Sequence, residues 1–209
     1  MSNAVVSANP QRHLLIFARH PELGRVKTRL AQTIGDEAAL EVYCELLAHT
    51  QAAASGVAAT RTVWFADAKP AAAPPDLWAD YLHQTQGPGD LGAKMHRAFA
   101  EAFAAGASAV VIIGTDCPGL TSAHLTTAFD CLATHDVVLG PAHDGGYYLL
   151  GMSTLHADLF LNKTWSTASV LAHTLRDATR LGLTVHQLPQ LRDVDTAEDL
   201  VAWRAAQIT

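Results

Sequence analysis

At 209 residues, with 49% hydrophobic and only 16% charged positions, the chain can bury one α/β domain well and two only marginally, and it is not a disordered protein. A formal charge of -6 argues against nucleic acid as the main partner, but a small anionic ligand needs only a local cluster of cations. Cys44, Cys117 and Cys131 show neither paired nor zinc-type spacing, which fits a reducing cytoplasm, and no apolar run approaches the roughly 20 residues of a membrane helix.

Residues 1–12 lack a basic stretch followed by an apolar core, so they read as a flexible tail rather than a signal peptide, with 13–209 as the single domain. Leu14, Leu15, Ile16, Phe17 and Ala18 form a first strand, apolar on both faces as in a covered parallel sheet. Behind it Pro21 and Gly24 make a loop in which Arg19, Arg25, Lys27 and Arg29 place four cations within eleven residues. A helical pattern begins near Thr28, pauses at Gly35 and resumes with Leu40, Tyr43 and Leu47 on one face. Strand, basic glycine-containing loop and helix start is how α/β proteins hold phosphate, through backbone N–H groups and Lys or Arg. The loop is not a Walker A sequence, which argues against a P-loop NTPase.

Residues 62–66 form a second strand, residues 68–75 a surface excursion rich in Ala and Pro, and residues 81–85 a weaker third strand. Gly87, Gly89 and Gly92 then fit G-x-G-x-x-G, with Asp116 at 24 residues beyond, so a dinucleotide-binding dehydrogenase has to be weighed. Its preceding strand is polar, the motif lies mid-chain, and the Lys27 loop would have no job. A loop approaching a nucleotide closely is the better reading, and a helix follows it to about Ala105.

Ala109 to Ile113 is an uninterrupted apolar run that feeds Gly114, Thr115 and Asp116, with Pro118 ending the extended segment. Ligands in such sheets bind beyond the carboxyl ends of the strands, which is where Asp116 sits; a turn-forming aspartate is the alternative. Thr121 caps a helix carrying Leu125, Ala128, Phe129 and Leu132. Residues 136–140 form another buried strand, leading into Asp144, Gly145, Gly146 and Tyr147, either a hairpin turn or a substrate-contacting turn on the same rim as Asp116. Trp165, Ser166 and Thr167 cap a long helix running to Leu181, residues 184–188 make a last strand, and Thr196 with Asp199 opens the final helix as a capping box. Asp193 and Asp195, two apart in an extended segment, fall on one face, and either could share a divalent cation with Asp116. Oxygen-only ligands suit Mg²⁺ or Mn²⁺.

Taken in order, six blocks give the chain a wider likeness. They are Pro21-x-x-Gly24-x-Val26-Lys27-Thr28-Arg29-Leu30; Gly89-Asp90-Leu91-Gly92; Gly114-Thr115-Asp116-Cys117-Pro118; Gly140-Pro141-x-x-Asp144-Gly145-Gly146-Tyr147-Tyr148-Leu149; Trp165-Ser166-Thr167; and Asp193-Val194-Asp195-Thr196-x-Glu198-Asp199-Leu200. Over nearly its whole length the sequence resembles the bacterial DUF2064 group, glycosyltransferase-like members of the nucleotide-diphospho-sugar transferase (GT-A) superfamily, and more distantly molybdenum-cofactor and phospholactate guanylyltransferases. The resemblance implies a three-layer α/β/α GT-A fold, its twisted sheet mainly parallel with a small antiparallel portion. It implies that Arg19, Lys27 and Arg29 face the nucleotide phosphates, with Gly24, Gly89, Asp90, Gly92 and Thr115 against the nucleotide. Asp116 and Asp195 would hold Mg²⁺ or Mn²⁺, Asp193 being the rival second ligand. Asp144, Gly145, Gly146, Tyr147 and Trp165 would form the acceptor side, and Asp116, Lys27 and Asp144 would be catalytic. This chain carries Arg19-His20 where relatives often have a lysine, and Asp116-Cys117-Pro118 in place of a strict Asp-x-Asp.

The expected activity is therefore cation-dependent transfer from a nucleotide donor to a small-molecule acceptor, foremost glycosyl transfer from an NDP-sugar. Nucleotidyl transfer with release of pyrophosphate is the alternative, and a non-catalytic nucleotide-binding module a lesser one. Alanine-rich surface hints at a homo-oligomer.

Overall fold

The computed structural model describes residues 11–67 and 77–207, so residues 1–10 of the expected 1–12 tail and the excursion over 68–75 lie outside the described residues. In chain order the elements are β1 (Arg12–Ala18), α1 (Thr28–Ile34), α2 (Asp36–Ser55), β2 (Thr60–Phe65), β3 (Leu82–Thr85), α3 (Leu91–Ala104), β4 (Ala109–Ile113), α4 (Ser122–Cys131), β5 (Val137–Pro141), β6 (Tyr147–Met152), α5 (Val170–Arg180), β7 (Val185–Gln187) and α6 (Ala197–Ala206), with a 3-10 turn at Ala157–Phe160. The strands make one seven-stranded sheet ordered β3-β2-β1-β4-β6-β5-β7. Every pairing is parallel except those of β6, which runs against both β4 and β5. A mainly parallel sheet with one antiparallel strand is the architecture that the family resemblance implied.

Burial shows why the central strands carry no polar alternation. Leu14, Ile16 and Ala18 of β1 face a core built with α2 and α4, while Leu15 faces a second core with α3 and α5. Helices thus cover both faces, and a strand between them must be apolar on both. A third cluster, Leu30, Ala39, Val42, Leu46 and Val194, ties α1 and α2 to the C-terminal segment.

Two expectations change. β1 starts at Arg12, inside the expected tail, because that residue pairs with Ala109 of β4 while its guanidinium reaches Asp130 at 2.7 Å. Trp165, Ser166 and Thr167 do not cap a helix: α5 begins at Val170 behind Ser169, and no side chain bonds its first turn. Thr167 instead turns its hydroxyl back to the carbonyl of Thr164, at 2.9 Å. The expected caps of α4 and α6 form, each as a reciprocal capping box, with His124 in the third position of the first and Asp199 in the second.

Candidate active site

β1 leads toward α1 and α2 on one face and β4 follows α3 from the other, so the chain reverses its winding between two neighbouring parallel strands. Beyond their carboxyl ends opens a cleft of about 780 Å³. This is where open α/β sheets bind ligands, beyond the carboxyl ends of the strands at the point where the strand order reverses. Phe17, Ala18 and Arg19 line it from β1, Ala66 from β2, and Gly114, Thr115 and Asp116 from β4.

The loop between β1 and α1 turns at Gly24 (φ 72°), where the backbone needs the left-handed region that glycine enters freely. It ends at Lys27, itself left-handed (φ 47°, ψ 41°) in a residue with a full side chain. That backbone sends the Lys27 side chain inward, leaving it 4% exposed, with Nζ 2.5 Å from Asp116 Oδ1 and 3.0 Å from Asp195 Oδ1. Burial alone would lower its pKa, but Asp116 and Asp195 outweigh that and hold it above the ordinary value. Arg29 reaches the other oxygen of Asp195 at 3.7 Å. The two carboxylates stay 46% and 41% exposed to the cleft.

Asp195 lies 79 positions from Asp116 in sequence and is brought to it by backbone. The segment after β7 runs beside the end of β5, where Leu191 donates to the Pro141 carbonyl and Ala142 bridges Leu191. The Val194 N–H then donates to the Asp116 carbonyl at 2.9 Å, with the Val194 side chain in the third core cluster. Asp193, on the other side of Val194, is mostly buried. Desolvation first, then Asp116, Asp144 and Asp195, push its carboxyl up to about 7. It also faces the buried Cys117 thiol, which burial and Asp193 push up to about 12.

The opposite wall is the first turn of α3. Asp90 caps it by accepting from Ala93 N–H at 2.8 Å, and Gly89 (φ 107°) lets the chain turn in. Arg97, one turn on, clamps the preceding loop: it donates to the carbonyl of Gln86 and, at 3.0 Å, to that of Pro88.

Of the residues singled out from sequence, Arg19, Lys27, Arg29, Gly89, Asp90, Thr115, Asp116 and Asp195 line this cleft. Gly24, Gly92, Asp144, Gly145, Gly146, Tyr147 and Trp165 do not. Gly92 is buried under the Trp165 indole, where an added Cβ would stand 2.2 Å from Nε1, so these two form a packing joint between α3 and the 165–169 segment. Tyr147 packs partly buried against the second core, with its hydroxyl buried beside Thr174. Asp144 bonds Gly146 N–H within its own turn at 2.8 Å and lies near enough to act on the charge of Asp193. Gly145 (φ 86°) sits against the Ala168 carbonyl, which docks that turn onto the segment before α5.

The cleft also holds residues the sequence reading left out, among them Arg25, Tyr43, Gln86, Lys94 and Ser166. Tyr43 is read from sequence as one face of a helix. In the fold its hydroxyl accepts from Arg19 N–H at 2.9 Å and donates to the Arg19 carbonyl at 3.1 Å, fixing the exit of β1. Lys94 lines the α3 wall with no acidic partner among the described residues, whereas Arg19, Arg25, Lys27 and Arg29 each have one. Its position four residues after the Asp90 cap is the signal that could have placed it there.

Residues 47–167 match the bacterial family described as "uncharacterized protein conserved in bacteria (DUF2064)". The chain belongs to the DUF2064 family. This DUF2064 protein shares its fold with a proposed nucleotide-diphospho-sugar transferase from Desulfovibrio desulfuricans G20, at 30% identity and TM-score 0.86 over 94% of this chain and 87% of that one. A nucleotidyl transferase from Methanothermobacter is 15% identical with TM-score 0.65, covering 96% and 99%. Glucosyl-3-phosphoglycerate synthase from Mycobacterium tuberculosis, solved with Mn²⁺, UDP and glucosyl-3-phosphoglycerate, is 12% identical with TM-score 0.55, covering 95% and 77%. The last two likenesses concern the fold alone. No curated protein matches the sequence. Among the described residues no helix is long and apolar enough to cross a membrane.

Proposed function

We propose that this DUF2064 protein is a transferase that takes a nucleotide-linked donor with a divalent cation, foremost an NDP-sugar, and passes the glycosyl group to a small acceptor. The observation that carries the reading is the convergence of Lys27, Asp116 and Asp195 at the mouth of the cleft, on loops brought together from three separate parts of the chain. The resemblance to a transferase at 30% identity across most of both chains supports it. The fold and its three unpaired cysteines suit a protein of the cytoplasm.

The carboxylates fit a cation of the Mg²⁺ type in one specific way. Both aim an oxygen at a single positive point, the Lys27 ammonium, and both keep an exposed flank toward the cleft. Among the described residues no group of three side chains offers a closed cage. Mg²⁺ is commonly held by one or two carboxylates, with phosphate oxygens and water completing six ligands, so two aspartates suffice when a phosphorylated donor is present. Asp116 and Asp195 would hold it, and bound there it would neutralise charge on the leaving phosphate.

The chain's own residues supply the rest. Lys27, Arg25 and Arg29 place fixed positive charge beside the donor phosphates, the electrostatic contribution that dominates phosphate-transfer chemistry. Lys94 adds a cation from the α3 wall. Gly89 allows the backbone to approach the nucleoside, and Asp116 and Thr115 orient the donor at the end of β4. The Asp144 turn positions the acceptor at the rim, which is the proximity contribution. Mg²⁺ is the expected cation, with Mn²⁺ as substitute.

One observation favours a second reading. Five cations line the cleft, Arg19, Arg25, Lys27, Arg29 and Lys94, against three acids, Asp90, Asp116 and Asp195. That surplus suits a triphosphate and a pyrophosphate leaving group, hence nucleotidyl transfer. Incubation with Mg²⁺ and a panel of NDP-sugars or NTPs, each with candidate acceptors, separates the two. Release of NDP is expected, at least 100-fold slower with Asp116→Ala. Pyrophosphate from an NTP would instead establish the second reading, and turnover indifferent to Asp116 would end both.

A further inference from the structure

Lys27 cannot do at once both jobs that the cleft asks of it. As a phosphate ligand its ammonium must reach into the cleft, yet its side chain is 4% exposed and its Nζ lies between Asp116 and Asp195. As cation ligands those aspartates must turn their oxygens to a metal, yet one oxygen of each is already spent on the ammonium. A Mg²⁺ ion bound to those same two oxygens at about 2.0–2.1 Å would press directly against Nζ, cation upon cation. The ammonium already fills the point on which both carboxylates converge.

The backbone fits a residue with two positions. Lys27 is one of three non-glycine residues with positive φ among the described residues, the others being Asn162 and Ser166. A lysine held there persists only because its surroundings over-determine it, and outliers of this kind collect at sites that switch or clamp ligands. Here the surroundings are the two aspartates. The residue also stands at the boundary between a glycine-containing loop and α1, so its side chain can move without unwinding a helix.

We propose that Lys27 is the resident counter-ion of the Asp116–Asp195 pair, and that the divalent cation enters only with a polyphosphate, whose oxygens draw the ammonium off the carboxylates as the metal takes its place. The inference rests on the function proposed above and names what the site admits: a metal–nucleotide complex rather than a free ion. Nothing is bonded or broken; one cation replaces another, and the displaced one pairs with the incoming phosphate. Cation and nucleotide then bind with positive coupling, and each raises the affinity of the other by the same factor.

The test counts protein-bound Mn²⁺ by water-proton relaxation in the full chain, with Mn²⁺ alone and with Mn²⁺ plus UDP or CTP. Wild type is expected to bind Mn²⁺ at least ten-fold more tightly with nucleotide than without. Lys27→Met is expected to bind Mn²⁺ alone at least ten-fold more tightly than wild type does, and to gain little further from nucleotide. Lys27→Gln, with circular dichroism to establish folding, repeats the comparison with a neutral polar side chain. Wild type that binds Mn²⁺ equally well with and without nucleotide would overturn the exchange while leaving the cleft a metal site. So would a folded Lys27→Met with no gain in affinity for Mn²⁺ alone. Absence of protein-bound Mn²⁺ in every mixture would remove the cation from the proposed function and this inference with it.

Discussion

Asp193 shows how one buried carboxyl registers the charge of a whole site. Its pKa rises from 3.8 to about 7, first through desolvation and then through Asp116, Asp144 and Asp195, with Lys27 opposing. The folded chain therefore keeps a proton that the unfolded chain releases near pH 4. The stabilisation is complete below that pH and is lost as the pH rises to about 7, at a cost of about 2–4 kcal/mol. Asn mimics the protonated acid, so Asp193→Asn should flatten the dependence of Tm on pH between 4 and 8 and close most of any gap at the acid end. Parallel curves for the two proteins would show that the carboxyl ionises without penalty. Sequence alone could pair Asp193 with Asp195 as rival ligands, because spacing shows that two residues share a face and not how deep each one lies. Depth separates them here: Asp195 shows its carboxylate to the cleft and bonds Lys27, while Asp193 turns toward Cys117.

Elements whose burial is symmetric were the legible ones. β1, β4 and β5 are apolar runs because both faces are covered, so their existence and order follow from composition along the chain. Trp165, Ser166 and Thr167 read from sequence as a helix cap because residues before an apolar helical pattern look alike whether they cap or dock. Here the indole is drawn sideways into the space that Gly92 leaves, and Phe160 stacks beside it. Such a joint depends on two residues 73 apart and leaves no local trace. Arg97 is a second case, since nothing in sequence marks a helix arginine as the clamp of the loop before it. Its guanidinium holds the carbonyls of Gln86 and Pro88, and an added Cβ at Gly87 would stand 2.9 Å from Nη1. Losing hydrogen bonds to a charged donor costs about 1.5–3 kcal/mol each, so Arg97→Met should lower thermal stability. Freed from its clamp, the 86–90 loop should also weaken nucleotide binding about ten-fold. Unchanged nucleotide affinity, measured by calorimetry on the folded variant, would detach this loop from the binding site.

At the scale of the molecule, a chain of net charge -6 keeps a surplus of cations in its main cleft. The field of the whole repels anions weakly while the cleft attracts them, which favours a compact polyphosphate over an extended polyanion. The sheet gives that cleft its place: β1 and β4 lie side by side where the strand order reverses, and the antiparallel β6 joins β5 to β4 so that the Asp144 turn emerges on the same rim. The fold class could be read from alternating strands and helices. The site could be read in part, because Lys27 ends the basic loop between β1 and α1 and Asp116 lies just past β4, whereas Lys94 and Ser166 enter the cleft through packing of α3 and the 165–169 segment.

The central claim is that Asp116 and Asp195 share a divalent cation with the phosphates of a nucleotide held over the Lys27 loop. Anomalous diffraction at the manganese edge, from crystals grown with Mn²⁺ and UDP or CTP, tests it most directly. A single strong peak touching both carboxylates and a phosphate oxygen, with the Lys27 ammonium moved off the aspartates onto phosphate, is the predicted result. A bound nucleotide with no peak at Asp116, or a peak held by other residues, would contradict the account.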